Sequence, residues 1–164
     1  MCAEDYDENV GNNLVLSDEG LNFIAGYEGF SAYIYEDQGG LPTIGYGHLI
    51  QPGETFYEPM TEEEGLELLR TDVIRFEEAV NEAVTVDLEQ HEFDACVSLA
   101  FNIGDNAFRN SNAVRELNSV DLEAMEREWR EWRLVNGQVS QGLVNRRSDE
   151  LEMFFEGDYN RNHF

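Results

Sequence analysis

The segment that most restricts the fold of this chain runs from Tyr27 to His48 and reads YEGFSAYIYEDQGGLPTIGYGH. The residues before Glu28 have the spacing of an amphipathic helix, and Gly29 is typical of a helix end. The letters S-A-Y-I-Y alternate as a strand does, Q-G-G favours a hairpin loop, and L-P-T-I is typical of a returning strand. The sequence therefore predicts a helix that leads directly into an antiparallel hairpin.

Two carboxylates and a hydroxyl lie on this predicted unit, because Glu28 ends the helix and Asp37 and Thr43 flank the loop. A helix end favours the protonated form of Glu28, whereas Asp37 beside a loop is expected to stay solvated and ionised. Glycoside hydrolysis requires such an unlike pair of carboxyl groups. Each residue also has a structural alternative: Glu28 as exposed surface, Asp37 as a turn stabiliser and Thr43 as a strand residue.

This spacing of Glu28, Asp37 and Thr43, ending in T-I-G-Y-G-H, resembles the phage-type lysozymes, the endolysin family also called glycoside hydrolase family 24. The stretches QHEFDACVSLAFNIG and GLVNRR resemble the same family, so that the resemblance covers about residues 17–158. It implies that Glu28 is the general acid, that Asp37 positions or activates a water and that Thr43 holds this water. Lytic transglycosylases can work with a single acid and do not need the water-positioning pair.

The resemblance also implies supporting residues around this set. His48 is expected to pair with Asp72 and so to fix the hairpin against the following helix. Arg146 is expected to lie against Glu28, but Arg147 is its neighbour, and the sequence leaves open which of the two faces the cleft. The residues expected to contact a saccharide, by approach to the hairpin backbone or by bonding an acetamido group, are Gly45, Tyr46 and Asn102.

The rest of the chain predicts a mostly helical protein. Thr61 and Glu64 form a capping box for one long helix, whose apolar residues recur at helical spacing. Further helical stretches follow, of which one carries Trp129 and Trp132 on a stripe that is expected to be buried. We therefore expect an α+β, lysozyme-like fold, with a small antiparallel β-hairpin sheet in an N-terminal lobe joined by a long helix to a helical C-terminal lobe.

The expected organisation is an acidic mobile tail over residues 1–16 and a single lysozyme-like domain over residues 17–164. Within that domain we expect a β-containing lobe at 17–60, the connecting helix at 61–84 and the helical lobe at 85–164. Two local features are less regular. Pro42 predicts an edge strand or a kink, and Thr55–Tyr57 has the composition of a short third strand.

The charge of the chain is strongly negative, with 24 Glu, 11 Asp, 10 Arg and no Lys, for a formal net charge of −25. Such a surface repels nucleic acid and anionic lipid, so neither is expected as a partner. It also opposes the approach to a bacterial cell wall. A high-salt habitat, in which screening is strong, would explain the composition; an ordinary mesophilic protein with a solvated acidic surface is the alternative.

Several other classes of site are not expected. The chain has no apolar run of membrane-spanning length, and its first residues are acidic, so we expect neither a signal peptide nor membrane insertion. His48, His91 and His163 lack metal-ligand spacing, and no metal or cofactor is predicted. Cys2 and Cys96 are expected to stay unpaired.

The resemblance therefore implies a monomeric muramidase that hydrolyses the β-1,4 bond between N-acetylmuramic acid and N-acetylglucosamine. The expected binding partner is the glycan strands of peptidoglycan. Inversion at the anomeric carbon is the expected stereochemistry. A phage endolysin of this kind waits in the host cytoplasm until another protein opens the membrane. The alternatives are a catalytically idle lysozyme-like module that binds a basic partner, and an effector or toxin lysozyme delivered by a secretion machine.

Overall fold

The computed structural model describes residues 11–164, and its first regular element is the helix α1 (Asp18–Glu28). The Ser17 hydroxyl caps this helix by accepting a hydrogen bond from the Gly20 amide at 3.1 Å, which satisfies one of the amides that a helix start leaves unpaired. The helix ends at Gly29, whose φ of 74° is a conformation that residues with a Cβ rarely adopt. The predicted end of this helix is confirmed.

An antiparallel sheet follows, with its strands in the order β1 (Ser31–Glu36), β2 (Pro42–Gly45) and β3 (His48–Leu49). The predicted hairpin is confirmed, but β2 is the central strand, so the edge position that Pro42 predicts is wrong. Pro42 is tolerated because it is the first residue of β2, and its carbonyl still accepts a hydrogen bond from the Ile50 amide at 2.9 Å. The third strand is β3, and the one predicted at Thr55–Tyr57 is wrong.

The single helix predicted over residues 61–84 is instead divided into α2 (Glu62–Asp72) and α3 (Ile74–Ala83), which meet at Val73. The capping box at its start is present as predicted. The division falls in the sequence T-D-V-I, whose β-branched residues and Asp favour a helix less than the Leu and Glu residues on either side. Val73 is fully buried, so the junction between the two helices is part of the core.

The chain between residues 90 and 156 forms the helical lobe, which consists of α4 (Gln90–Ile103), α5 (Asp105–Arg109), α6 (Asn112–Asn118), α7 (Leu122–Arg130), β4 (Leu134–Val135), β5 (Gln138–Val139) and α8 (Gln141–Glu156). α4 is its centre, since residues 93–100 are all buried and α1, α3 and α8 pack around them. Burial of each large apolar side chain contributes about 1.5–3 kcal/mol to stability. The predicted α+β class is confirmed, and β4 and β5 pair across a turn formed by Asn136 and Gly137.

The mobile tail predicted for residues 1–16 is wrong for its last part. The Asn12 side chain donates hydrogen bonds to two backbone carbonyls that follow α3, at 2.8 and 3.2 Å. Leu16 is 2% exposed, and its amide donates to a buried carboxylate of α3 at 2.6 Å. These long-range contacts leave no periodic signal in the sequence, so the apolar pattern alone cannot predict them. Residues 1–10 of the predicted tail lie outside the described residues.

Cys96 is buried in α4 with a free thiol, and Cys2 lies outside the described residues. Burial raises the pKa of the Cys96 thiol well above its ordinary value of 9.0, so this thiol is an unreactive core group. Among residues 11–164, no helix has both the length and the apolar composition that crossing a membrane requires.

Candidate active site

Glu28 lies at the end of α1, between a buried guanidinium and the turn that joins β2 to β3. Its Oε1 accepts a hydrogen bond from Arg146 Nη1 of α8 at 2.8 Å. Its Oε2 faces Gly47, where an added Cβ would lie 3.8 Å from that oxygen. The Glu28 side chain is 24% exposed. One carboxyl oxygen is thus held by a cation inside the protein, and the other lies beside an exposed turn.

The adjacent arginines of α8 contact different parts of the site. Arg146 reaches Glu28, whereas Arg147 donates from Nη2 to Asn102 Oδ1 at 2.6 Å and from Nη1 to the Trp132 carbonyl at 3.3 Å. The two side chains are only 4% and 1% exposed, respectively. The alternative left open by the sequence is therefore decided in favour of Arg146 as the residue against Glu28.

Glu150 lies one helical turn further along α8 and compensates both guanidiniums. Its Oε1 is 2.8 Å from Arg147 Nε, and its Oε2 is 3.4 Å from Arg146 Nε. Ser98 Oγ and Trp129 Nε1 also donate to it, at 2.6 and 3.2 Å. Burial lowers the pKa of Arg147 below its ordinary value, and the charge of Glu150 opposes this effect. A fully buried carboxylate requires this density of donors, because an uncompensated buried charge is very unfavourable.

Asp37 and Thr43 lie on the hairpin at the predicted positions. Asp37 Oδ1 accepts hydrogen bonds from the Gly39 and Leu41 amides at 2.8 and 2.9 Å, so this oxygen orders the loop. Thr43 is 3% exposed, and its hydroxyl donates to the Leu41 carbonyl at 3.0 Å. Asp37 therefore stabilises the turn and Thr43 is a buried strand residue, which are the structural roles named above as alternatives to catalysis. Among residues 11–164 no donor contacts Asp37 Oδ2, so this second oxygen is available to a ligand.

An open depression of about 340 Å³ connects Glu28 with the hairpin. Its lining includes Glu28, Phe30 and Tyr35. Tyr35 of β1 is the cross-strand partner of Thr43 in β2, and Asp37 follows Tyr35 by two residues. The three residues of the predicted catalytic set are therefore carried by one continuous helix–hairpin unit.

Two of the predicted substrate contacts, Gly45 and Tyr46, pack against Met60 and α2, and their contact with a saccharide stays a prediction. Gly45 is buried, and a Cβ there would lie 3.2 Å from Met60 Sδ. The Tyr46 ring covers Gly65, where a Cβ would lie 3.2 Å from it. These close approaches fix the hairpin to the helix. The exposed Gly47, which sequence reasoning missed, is the glycine beside the α1 carboxyl, and its signal was the second glycine of G-Y-G.

Adjacent residues at the end of α4 each line one cavity. Phe101 lines a cavity of about 640 Å³ together with Gly47 and His48 of the hairpin. Asn102 lines a cavity of about 520 Å³ together with Trp132 and residues of the β4–β5 hairpin. The end of α4 therefore separates two cavities. One of them reaches the turn beside Glu28, and the other reaches the β4–β5 hairpin.

Trp132 packs against the core but is less buried than the predicted stripe requires. The sequence predicts that it shares this stripe with Trp129, which is 1% exposed. α7 ends at Arg130, so the helical spacing that places both rings on one face does not continue to Trp132. Trp132 is partly buried and lines the cavity beside Asn102. Only the length of α7 would have revealed this, and helix ends are poorly defined by periodicity.

The predicted contact between His48 and Asp72 is present. His48 Nδ1 lies 2.8 Å from an Asp72 carboxylate oxygen, and its Nε2 lies 3.0 Å from Glu54 Oε1. Burial alone lowers the pKa of His48, but the hydrogen bonds to Asp72 and Glu54 outweigh it and raise the pKa above 6.5. Burial raises the pKa of Asp72 above 3.8, although His48 opposes this. The imidazole thus joins β3 to α2 most strongly as a cation.

Replacement of His48 by Gln is expected to remove a stabilising contribution that depends on pH. Because the folded pKa is raised, this contribution is complete below pH 6.5 and is lost as the pH rises through the folded value. We expect His48→Gln to lower the free energy of unfolding by about 1.5 kcal/mol at pH 6, with a smaller difference at pH 9. Urea unfolding at both pH values measures it. Asp72→Asn is the matched variant, and an equal loss at both pH values in His48→Gln would contradict this assignment.

The structure also places acidic groups around His163, which its sequence context does not reveal. Within residues 11–164, Asp149, Glu152 and His163 form the group whose possible ligand atoms lie within 4.8 Å of one another. These groups already bond protein partners, since His163 Nε2 lies 2.6 Å from Glu152 Oε1 and the Tyr27 hydroxyl donates to Asp149. The cluster connects the C-terminal segment to α8 and to the residue that precedes Glu28.

Curated relatives of the chain are phage proteins. It is 36% identical over 150 residues to the endolysin of Bacillus phage PZA. This match covers 87% of this chain but only 55% of the relative, so the chain spans about half the length of that protein. It is 34% identical over 142 residues to the endolysin of Salmonella phage P22, which covers 85% of this chain and 97% of the relative.

Solved structures show the same similarity in three dimensions. The endolysin from Escherichia coli O157:H7 phage FAHEc1 matches with a TM-score of 0.83 and 34% identity, over 92% of this chain and 99% of that one. The muramidase domain of SpmX from Asticaccaulis excentricus matches with a TM-score of 0.79 and 33% identity, over 87% and 99%. The predicted lysozyme-like fold is confirmed. Since the model of the phage lysozyme family matches residues 25–150 as well, the chain belongs to the phage lysozyme family.

Proposed function

We propose that this chain acts as a monomeric muramidase, which hydrolyses the β-1,4 bond between N-acetylmuramic acid and N-acetylglucosamine in peptidoglycan. Membership of the phage lysozyme family supports a wall-degrading glycoside hydrolase, and one structural neighbour is a muramidase domain. The observation that carries the proposal is the environment of Glu28. Arg146 holds one of its oxygens at 2.8 Å, and the other lies at the exposed turn at Gly47.

In this mechanism Glu28 is the general acid. Arg146 occupies Oε1, so the proton is carried on Oε2 and passes to the glycosidic oxygen as the bond to C1 breaks. The leaving N-acetylglucosamine gains a free 4-hydroxyl group. Charge develops on the C1 side of the broken bond, and the ionised Asp37 offsets it.

Asp37 and Thr43 direct the attacking water. Asp37 Oδ2 accepts a proton from the water, and the water oxygen forms the new bond to C1 on the face opposite the leaving group. The Thr43 hydroxyl donates to the Leu41 carbonyl, so its oxygen is left to accept a hydrogen bond from the same water. The product is N-acetylmuramic acid with inverted configuration at a reducing end. Solvent returns the proton from Asp37 to Glu28 between turnovers.

Analysis of the products from purified peptidoglycan tests this proposal. We expect reducing-end N-acetylmuramic acid by mass spectrometry, with the α-anomer formed first by NMR. A retained configuration would indicate that the two carboxyl groups act about 5–5.5 Å apart, whereas inversion requires a separation of about 6.5–9.5 Å. Formation of 1,6-anhydro products would instead identify a lytic transglycosylase, and absence of any product would favour an idle binding module.

We further propose that the enzyme is adapted to salt, because the net charge of −25 opposes contact with an anionic wall. The Debye screening length falls to about 3 Å at 1 M salt, which weakens charge repulsion both within the protein and between the protein and its substrate. Hydrolysis and the midpoint of thermal unfolding are expected to rise with NaCl concentration into the molar range. A steady loss of both with added NaCl would favour an ordinary mesophilic acidic protein.

The same charge favours a second candidate, a catalytically idle module that binds a basic protein. Such a module would bind its partner equally well with and without the Glu28 carboxyl group.

For the biological setting we propose host lysis, since curated relatives are named endolysins. Expression inside bacteria is then expected to cause lysis only when another protein or agent opens the cytoplasmic membrane. An effector or toxin lysozyme would instead act on neighbouring cells after its delivery.

A further inference from the structure

The orientation of the Asn102 side-chain amide is determined by its neighbour. Asn102 lies near the end of α4, is exposed and lines the cavity of about 520 Å³. Arg147 Nη2 lies 2.6 Å from Asn102 Oδ1. A guanidinium has no acceptor, so the atom that faces it must be the amide oxygen and not the nitrogen. This chemical argument removes the usual ambiguity between the two ends of an asparagine amide.

The nitrogen of the same amide is therefore the end presented to the cavity. Among residues 11–164 no acceptor contacts Asn102 Nδ2, so both of its hydrogens are available. Besides Asn102, the cavity is lined by Glu131 and by five apolar residues, Ile103, Trp132, Leu134, Val135 and Leu143. A donor beside mostly apolar walls matches a carbonyl group that carries a methyl group, which is the chemistry of an N-acetyl substituent.

Arg147 is itself held in place from several sides. Its Nε lies 2.8 Å from Glu150 Oε1, and its Nη1 donates to the Trp132 carbonyl at 3.3 Å. The side chain is 1% exposed, so water does not compete for these contacts. A single guanidinium thus connects the Asn102 wall of the cavity with the Trp132 wall and is anchored behind both.

We propose that Arg147, anchored by Glu150, is a positioning residue that fixes Asn102 as a hydrogen-bond donor for an N-acetyl carbonyl of the substrate. The inference rests on the proposed muramidase function and adds the residue that makes the cavity selective for N-acetylated sugars. Without Arg147 the amide can rotate and present its oxygen, which repels a carbonyl group. Arg147 acts through Asn102 and not on the reacting atoms.

Asn102→Asp provides the first test, because it keeps the size of the side chain and its pairing with Arg147 but removes the donor. We expect KM for N-acetylated peptidoglycan to rise about tenfold, with a much smaller change in kcat. On chemically de-N-acetylated peptidoglycan, wild type and Asn102→Asp are expected to converge. A KM for Asn102→Asp that equals the wild-type value on N-acetylated substrate would overturn the proposal.

A double-mutant cycle then tests whether Arg147 acts through Asn102. Arg147→Met is expected to raise KM in the wild-type background but to add little to Asn102→Ala. Thermal unfolding of each variant identifies loss of fold, and the exposed Asn102 variants keep the proposal testable if Arg147→Met unfolds. Equal effects of Arg147→Met in both backgrounds would show a purely structural role. Hydrolysis by wild type that Glu28→Gln abolishes supports the muramidase function independently of either outcome.

Discussion

Replacement of Glu28 by Gln is expected to lower the rate of peptidoglycan hydrolysis by at least about 10²–10⁴-fold, the usual contribution of a general acid. Gln keeps the shape of the side chain, and its oxygen can still accept the hydrogen bond from Arg146 that Glu28 Oε1 accepts at 2.8 Å. It has no acidic proton to give to the glycosidic oxygen. Release of reducing ends from purified peptidoglycan measures the effect directly.

The matched control for this experiment is Glu63→Gln. Glu63 is an exposed residue of α2, so the substitution makes the same change of charge away from the cleft. We expect it to keep the wild-type rate within about twofold, since surface substitutions usually change free energies by less than about 0.5 kcal/mol. If Glu28→Gln retains the rate of the control, Glu28 is not the general acid.

Replacement of Glu150 by Ala is expected to have the largest effect on stability. Glu150 is 0% exposed and is the carboxylate that Arg146 and Arg147 share, at 3.4 and 2.8 Å. Its removal leaves Arg147 without its carboxylate partner beside Arg146, which keeps only Glu28. Loss of one partner from a buried ion pair costs about 3–5 kcal/mol. For a chain of this length we expect Tm to fall by about 6–20 °C.

Urea and thermal unfolding measure this loss, with Glu156→Ala as the control. Glu156 is an exposed glutamate at the end of the same helix, so it reports the effect of the substitution without the buried network. We expect Glu156→Ala to stay within about 0.5 kcal/mol of wild type. Similar stability losses in the two variants would mean that the arginines are compensated by solvent or by other groups.

Local features of the structure could be predicted from the sequence because they depend on residues close together in the chain. The Ser17, Thr61, Ser111 and Asp121 caps each involve an amide about three residues away. The break at Val73 and the end of α7 at Arg130 were missed because the apolar spacing on both sides suggests continuity. Helix ends and interruptions depend on small differences in propensity that tertiary packing readily overrides.

The candidate site divides in the same way. The positions of Glu28, Asp37 and Thr43 follow from a helix end and a hairpin, which are both local. The contact between Glu28 and Arg146 joins residues 118 positions apart in the sequence. Periodicity cannot choose between Arg146 and its neighbour, since both are buried and Glu150 reaches both from the following turn.

The sequence by itself determined the helix–hairpin unit, its catalytic candidates and the α+β class, because these follow from short-range spacing, turn chemistry and family resemblance. Only the tertiary structure decided that Gly45 is packed against α2 while Gly47 lies beside Glu28. It also decided that Asn102 lines a cavity while Arg147 takes its amide oxygen. Such choices depend on which groups meet inside a buried polar network, where each donor must find an acceptor and each charge a partner.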